Sequence, residues 1–282
     1  MPVVVVSDSS SCLQSDERKE FDIREVPLHV LFGGRDLCDG IDDIPNDIQD
    51  RPGVTTAGAS PTELADTYRQ ALADSDGAGV VAVHLSAALS STYSSAVMAA
   101  REFGASVRVV NSRSAAMGVG FAAMAAARCA ASGGDLDAVE AAARSSQSQT
   151  HVLLVVHRLE NLRRSGRIRT TASWLGTALS LKPLLRLDID GRLVLDQRIR
   201  TAAKAHAAMV DRVAETVGER GAHSVGRVVV HHVDNHDAAD AVGAALTQRL
   251  PQLSSLRVAD MGPLLSIHVG GGAVGVAFEV CG

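Results

Sequence analysis

Aromatic side chains are scarce in this chain: 3% of 282 residues, with one Trp, two Tyr and five Phe. The core must therefore be built from Ala, Val and Leu, and a surface that stacks bases on rings is poorly supplied. An excess of positive charge is missing too. At a net charge of −5, the chain lacks the overall footprint of a polyanion binder, and no nucleic-acid partner is expected. The four cysteines (Cys12, Cys38, Cys129, Cys281) are scattered, and no pair has the spacing of a zinc knuckle or thioredoxin-type site. Uninterrupted spanning segments are lacking as well. Residues 77–100 contain no Asp, Glu, Lys or Arg, but they hold five serines, a Thr, a Tyr and a His. Residues 261–278 are broken by Pro263 and the glycines at 270–272. Neither reads as a membrane helix. The apolar run at 3–6 is too short for a secretory leader. The expectation is a cytoplasmic protein with reduced thiols and no stable membrane insertion.

What is present is an ordinary globular composition, 46% hydrophobic and 21% charged, long enough for two domains. Residues 3–6 form a continuous β-branched run followed by a polar loop, as a buried parallel strand does. Strands are expected at 26–32, 80–85 and 107–110, and residues 36–52 read as acidic and irregular. Ser60-Pro61 with Glu63 forms a capping box that starts a helix. Further helices are expected at 93–103, 117–132 and 137–146. This alternation predicts an N-terminal α/β domain over residues 1–150 with a doubly wound, mostly parallel sheet. Residues 151–282 read as a second α/β domain with a mixed sheet. It has strands at 152–156, 225–231, 256–259, 265–269 and 274–280, helices at 174–185, 202–219 and 238–250, and a hairpin at 187–195.

Ligands in doubly wound sheets sit beyond the carboxyl ends of the strands. Three such ends are rich in hydroxyls: residues 9–11, 86–92 and 112–114. Thr55-Thr56 precedes one helix start and Ser90-Ser91-Thr92 another, so hydroxyls and free helical N–H groups converge in a way that suits a carboxylate or phosphate. His268 adds a third donor between apolar neighbours, and the following glycines allow close backbone approach. Other motifs weigh less. The Gly-x-Gly patterns at 270–275 and 118–123 lack the strand–turn–helix context of a dinucleotide site. His231, His232 and His236 with Asp234 and Asp237 read better as a strand end and helix cap, through Asp234 or Asn235, than as a metal site. Neither metal nor cofactor is expected. Ser90 with His268, and Asp8 as a third group, are the residues an esterase or thioesterase would use, but no nucleophile elbow is present. Five arginines (Arg158, Arg163, Arg164, Arg167, Arg169) reverse the sign of the charge locally and suit an anionic partner.

At these residues the chain resembles the DegV family of bacterial fatty-acid-binding proteins, nearly end to end. The segments that carry the resemblance are Ser7-Asp8-Ser9, Val26-Pro27-Leu28, Asp39-Gly40, the loop from Thr55-Thr56 to Ser60-Pro61, Leu85 to Tyr93, Ser165-Gly166-Arg167-Ile168, Lys182-Pro183-Leu184-Leu185, Arg198 to Lys204 and Ile267-His268-Val269-Gly270. It departs from the family pattern at Ala57-Gly58-Ala59, Ser91, Asn111 and Gly271.

The resemblance implies two α/β domains with an acyl tunnel and no chemistry of the protein's own. A long-chain fatty acid would be held by its carboxylate at Thr56, Ser90 and His268, with Thr55, Ser86, Ser91 and Gly270 in support. Leu175, Leu181 and Leu184 would line the tunnel. A separate fatty acid kinase would be the protein partner, with Arg167 and Arg200 at the contact. Burying roughly 15 methylenes at ~0.8 kcal/mol each would supply roughly 12 kcal/mol before ordering and desolvation are subtracted.

Overall fold

The computed structural model describes residues 2–168, 181–219 and 224–281. The chain forms two compact units, one of Met1–Ile44 with Thr55–Ser148, the other of Pro45–Val54 with Gln149–Gly282. The short excursion at Pro45–Val54 is not visible in composition.

In chain order the first unit carries β1 (Val4–Asp8), α1 (Ser15–Glu20), β2 (Ile23–Val26), β3 (His29–Phe32), β4 (Arg35–Cys38), β5 (Thr55–Ala57), α2 (Pro61–Asp74), β6 (Val80–His84), α3 (Thr92–Ala100), β7 (Val107–Asn111), α4 (Met117–Ala131) and α5 (Leu136–Gln149). Its main sheet is parallel throughout, in the order β2-β1-β6-β7. All residues of β1 and β6 are buried, as expected for strands covered on both faces. The chain leaves β1 toward one edge and later returns to build the other, so strand order reverses between β1 and β6. Helix α2 begins at the expected capping box. The Glu63 N–H donates to Ser60 Oγ at 3.3 Å and the Ser60 N–H to Glu63 Oε2 at 2.7 Å. Its buried stripe is Leu64, Ala65, Tyr68 and Ala71. Helix α4 is buried nearly all round. A Cβ on Gly120 would sit 2.9 Å from the Ser11 carbonyl oxygen. The glycine pattern at 118–123 is therefore a packing device, not a nucleotide loop.

Three features of this unit differ from expectation. The strand expected at 26–32 is two strands in two sheets, parted at Pro27. Proline has no N–H for the ladder, and the next N–H, of Leu28, turns to Ser9 Oγ at 3.1 Å. β3 instead centres a small antiparallel sheet, β4-β3-β5. The expected irregular stretch after Gly33-Gly34 begins as β4, because both glycines take positive φ (59° and 75°) and close a tight hairpin. Residues 15–20 form α1, a surface helix with no buried residue and hence no apolar periodicity to read.

The second unit carries β8 (Thr150–Val155), α6 (Glu160–Arg164), β9 (Leu184–Leu187), β10 (Leu193–Gln197), α7 (Ala202–Glu219), β11 (Ser224–His232), α8 (His236–Arg249), β12 (Leu253–Asp260), α9 (Pro263–Val269) and β13 (Val274–Cys281). The sheet order is β10-β9-β8-β13-β11-β12, with β11 and β12 parallel and the other pairs antiparallel. Alternation along the strands divides two apolar clusters. Leu153, Val155 and Leu184 join Met209 and Val213 of α7 and Leu246 of α8, while Leu154, Val156 and Leu185 join Leu162, Met261 and Val269. The β9–β10 hairpin turns through Gly191 at φ 74°.

Two expectations are corrected here. Residues 265–269 are not a strand but lie in α9. The apolar run is too short for its period to be read, whereas Pro263 in the first turn and Gly270 just past the end are helix punctuation. Of the helix expected at 174–185, residues 174–180 lie outside the described residues, and Leu184 and Leu185 belong to β9. No helix among the described residues is long and apolar enough to cross a membrane.

Replacing Ser60 by Ala removes an acceptor from the first turn of α2 and should lower stability by about 1 kcal/mol. Urea unfolding followed by circular dichroism measures this, and an unchanged midpoint would show that the box contributes nothing.

Candidate functional site

The first unit brings the two hydroxyl loops together. Ser60 caps α2 just after β5, and Ser90 sits at the start of α3. Gly58 lies between them: a Cβ there would come 2.6 Å from Thr92 Oγ1 and 3.3 Å from Thr92 N. Only glycine lets the segment after β5 pass this close to the first turn of α3. The Thr92 N–H donates to Ser90 Oγ at 3.2 Å, and the two hydroxyls are 2.9 Å apart. With Thr92 donating its hydroxyl proton, Ser90 Oγ accepts twice and keeps its own proton for a ligand. Thr56 is half-buried and pairs with Val30 of β3; Thr55 and Ser91 are exposed, and Ser86 is buried. β3 is in turn clasped by its own His29, whose Nδ1 lies 2.7 Å from Asp36 Oδ1 and Nε2 3.0 Å from Glu63 Oε1.

Beneath the Ser86–Ser90 turn lies a network that sequence reasoning missed. Asp8, His84 and Tyr68 are fully buried. Asp8 Oδ2 is 2.9 Å from His84 Nδ1 and accepts the Leu85 N–H at 3.0 Å; Oδ1 accepts from the N–H and hydroxyl of Ser10. His84 Nε2 is 2.7 Å from the Tyr68 hydroxyl. Burial, reinforced by Asp8, pushes the Tyr68 pKa up, so the phenol keeps its proton. The available signal was a histidine ending an otherwise apolar strand, beside the Asp that ends its neighbour.

In the second unit, His268 lies in α9, half-buried. Desolvation and then the Arg167 guanidinium push its pKa down to about 4, so the imidazole is neutral at physiological pH. Arg167 is aimed by the end of α6. The Gly166 N–H bonds to the Arg163 carbonyl at 3.1 Å and the Arg167 N–H to the Leu162 carbonyl at 2.9 Å, a Schellman closure with Gly166 at φ 71°. Gly270 permits the packing of α6 on α9: a Cβ there would lie 3.1 Å from Asn161 Nδ2, which donates to the Ile267 carbonyl at 3.3 Å. Gly272 carries the ring of His157, whose Nδ1 would be 2.5 Å from a Cβ. Lys182 Nζ donates to the His157 carbonyl at 3.1 Å. Gln49, from the excursion at Pro45–Val54, donates to Asp234 Oδ2 at 2.7 Å and lies 3.5 Å from Ser266 Oγ of α9.

The remaining candidates fall as follows. Leu175 lies outside the described residues. Leu181 is half-buried, and Leu184 is packed in the core beside α7. Arg200 is exposed just before α7. Among the described residues no group of three His, Cys, Asp or Glu side chains is arranged to hold a metal. His231 is buried and pushed down to about 3, first by desolvation, and His232 stacks on His236 at 5.2 Å. The cap expected from Asp234 or Asn235 is absent: Asp234 accepts from Gln49, and Asn235 Nδ2 donates to the Gly272 carbonyl at 2.8 Å. Asp8 is taken by His84 and so does not serve as the third member of a Ser90–His268 pair. A base with a pKa near 4 is also poorly matched to a serine proton at neutral pH. The hydroxyl pair at the start of α3 can donate a hydrogen bond to an anion.

Because desolvation is the larger cause, Arg167→Gln should raise the His268 pKa while leaving it below the ordinary 6.5. An NMR titration of the imidazole reads this directly; an unchanged value would remove Arg167 from the vicinity. Wild-type stability should rise with pH between about 4 and 6.5, because the unfolded histidine binds a proton that the folded one excludes.

Residues 2–280 match the family model described as an uncharacterised protein, DegV family. A DegV domain-containing protein of Mycobacterium tuberculosis is 55% identical over 280 residues, covering 99% of this chain and 98% of the relative. The fold is similar to a DegV family protein of Thermus thermophilus solved as a fatty-acid-binding protein, with a TM-score of 0.91 and 31% identity over 100% of both chains. It is similar too to the DegV family protein Cg2579 of Corynebacterium glutamicum, with a TM-score of 0.88, 33% identity, and 100% and 99% of the two chains covered. The chain therefore belongs to the DegV family.

Proposed function

We propose that this protein binds a long-chain fatty acid and carries it without transforming it. The observation that carries the reading is the whole-chain likeness to the Thermus protein, which binds a fatty acid, joined to the hydroxyl arrangement at the start of α3. Thr56 and Ser90 are assigned as hydroxyl donors to the carboxylate, and His268 as an imidazole N–H donor. Thr55, Ser86, Ser91 and Gly270 shape the loops around them. Leu175, Leu181 and Leu184 are assigned to the wall of an apolar tunnel. Transfer of most of the alkyl chain out of water supplies the affinity, and the polar head fixes direction. The low pKa of His268 supports a carrier: the neutral ring has one N–H to donate, and a ring with a pKa of about 4 is a weak base toward a serine hydroxyl.

The bound acid is proposed to be presented in the cytoplasm to a separate fatty acid kinase. Arg200 and Arg167 suit an anchor for that partner and for a developing acyl phosphate, because guanidinium groups bind phosphate bidentately.

The Thr56→Val, Ser90→Ala double variant should fold normally and bind oleate more weakly. Each lost hydrogen bond to a charged head costs about 1.5–3 kcal/mol. Titration calorimetry against wild type measures the loss, and superimposable curves would take both residues out of the site. Neither protein should hydrolyse an acyl ester; turnover abolished by Ser90→Ala and by His268→Ala would replace the carrier reading with a hydrolase. Arg200→Ala should slow kinase-dependent phosphorylation with little change in oleate affinity. Equal loss of both would place Arg200 in the lipid site or in the fold.

A further inference from the structure

We infer that Asp8 is a positioning residue: its carboxylate sets the direction in which the chain leaves β6, and so places the Ser90 hydroxyl. The inference rests on the fatty-acid reading for its consequence but on the geometry of the first unit for its substance. β1 and β6 are neighbours where the strand order reverses, the place in such sheets where the loops at the carboxyl ends part and leave room for a ligand. Asp8 ends β1 and His84 ends β6.

A buried carboxylate can only accept, so His84 Nδ1, 2.9 Å away, carries the ring proton. With the proton on Nδ1, Nε2 is the acceptor for the Tyr68 hydroxyl, 2.7 Å away. This relay of two donors holds Asp8 Oδ2 where it also takes the Leu85 N–H. The next residues follow without slack. The Ser86 N–H bonds to the Ser114 carbonyl at 2.9 Å, and the Ser86 carbonyl accepts the N–H groups of Leu89 and Ser90 at 2.9 and 3.1 Å. The Ser86 hydroxyl accepts the Ala88 N–H at 3.2 Å, and Ser90 Oγ then takes the Thr92 N–H. An unbroken series of hydrogen bonds runs from Asp8 through Leu85 and Ser86 to the hydroxyl assigned to the ligand. Asp8 touches no ligand in this scheme; it acts through the backbone of the turn.

Asp8→Asn keeps the shape but replaces one acceptor oxygen with a donor: either the His84 and Leu85 pair or the Ser10 pair loses its acceptor, and the pair that remains bonds a neutral amide in place of a carboxylate. The experiment compares oleate with oleyl alcohol, which shares the chain and lacks the carboxylate. In Asp8→Asn the affinity for oleate should fall by about tenfold, while that for the alcohol stays within about twofold, since only the head contact is displaced. Equal loss of both ligands would mean a general structural role, and no loss would mean that the turn is placed by other contacts; either overturns the inference. Two measurements on wild type need no variant and no ligand. Nitrogen-15 NMR should find His84 protonated at Nδ1, and the Leu85 amide should exchange far more slowly than that of exposed Ala87. A ring protonated at Nε2 alone, or equal exchange at 85 and 87, overturns the inference even if Asp8→Asn does not fold. If wild type binds neither oleate nor the alcohol, the fatty-acid reading fails, while these two measurements still judge the tie.

Discussion

A carboxylate sealed from water at the end of a parallel strand must be satisfied by protein donors alone, and Asp8 is in that position. The desolvation cost of such an ion is several kcal/mol unless its lone pairs are filled. Four donors fill them: the N–H and hydroxyl of Ser10, the ring of His84 and the N–H of Leu85. They come from the turn after β1, the last residue of β6 and the turn after β6. One buried charge thus requires two neighbouring strand ends to keep a single arrangement. Tyr68 extends the requirement into α2, whose first turn is the capping box beside β5. The loops that carry Thr56 and Ser90 are consequently fixed by groups that never reach solvent.

How much of this was legible follows from what each signal measures. Buried parallel strands announce themselves by short, Val-rich apolar runs, and β1 and β6 did. The capping box at Ser60 is a local exchange of two hydrogen bonds and needs no tertiary context. Proline 27 and the punctuation around α9 were equally local, yet they were outweighed by apolar runs that fit strand and helix alike over four to seven residues. The strand β5, three residues long and largely exposed, leaves no periodicity at all. The departure of Pro45–Val54 to the second unit is a tertiary event. The buried amide of Gln49, bonded to Asp234, marks it, and that partner lies 185 residues away in the chain.

The site residues divide in the same way. Thr56, Ser90 and His268, the residues proposed for the head group, stand out in the sequence by type and position, whereas their hydrogen-bond partners and surroundings do not. The ring of His268 is held neutral by desolvation and by Arg167. A carboxylate brought beside this ring would reverse part of that shift, because an opposite charge favours the protonated form. Any pH dependence of affinity from this histidine therefore belongs to the complex and lies above about 4, where the free ring is already neutral.

The departures from the family pattern acquire a physical meaning in the same frame. Gly58 is one of these departures, and a Cβ at that point would press within 2.6 Å of Thr92 Oγ1. Thr92 is the residue whose N–H and hydroxyl meet Ser90 Oγ. In this chain the segment after β5 therefore approaches α3 through the absence of a side chain, at the turn where the hydroxyl pair is made. The loop differs in composition while its hydroxyl at Thr56 and the capping serine at 60 are kept. Substitution at Gly58 would thus be felt first through Thr92, at the hydrogen bonds that orient Ser90, before it reached the sheet beneath.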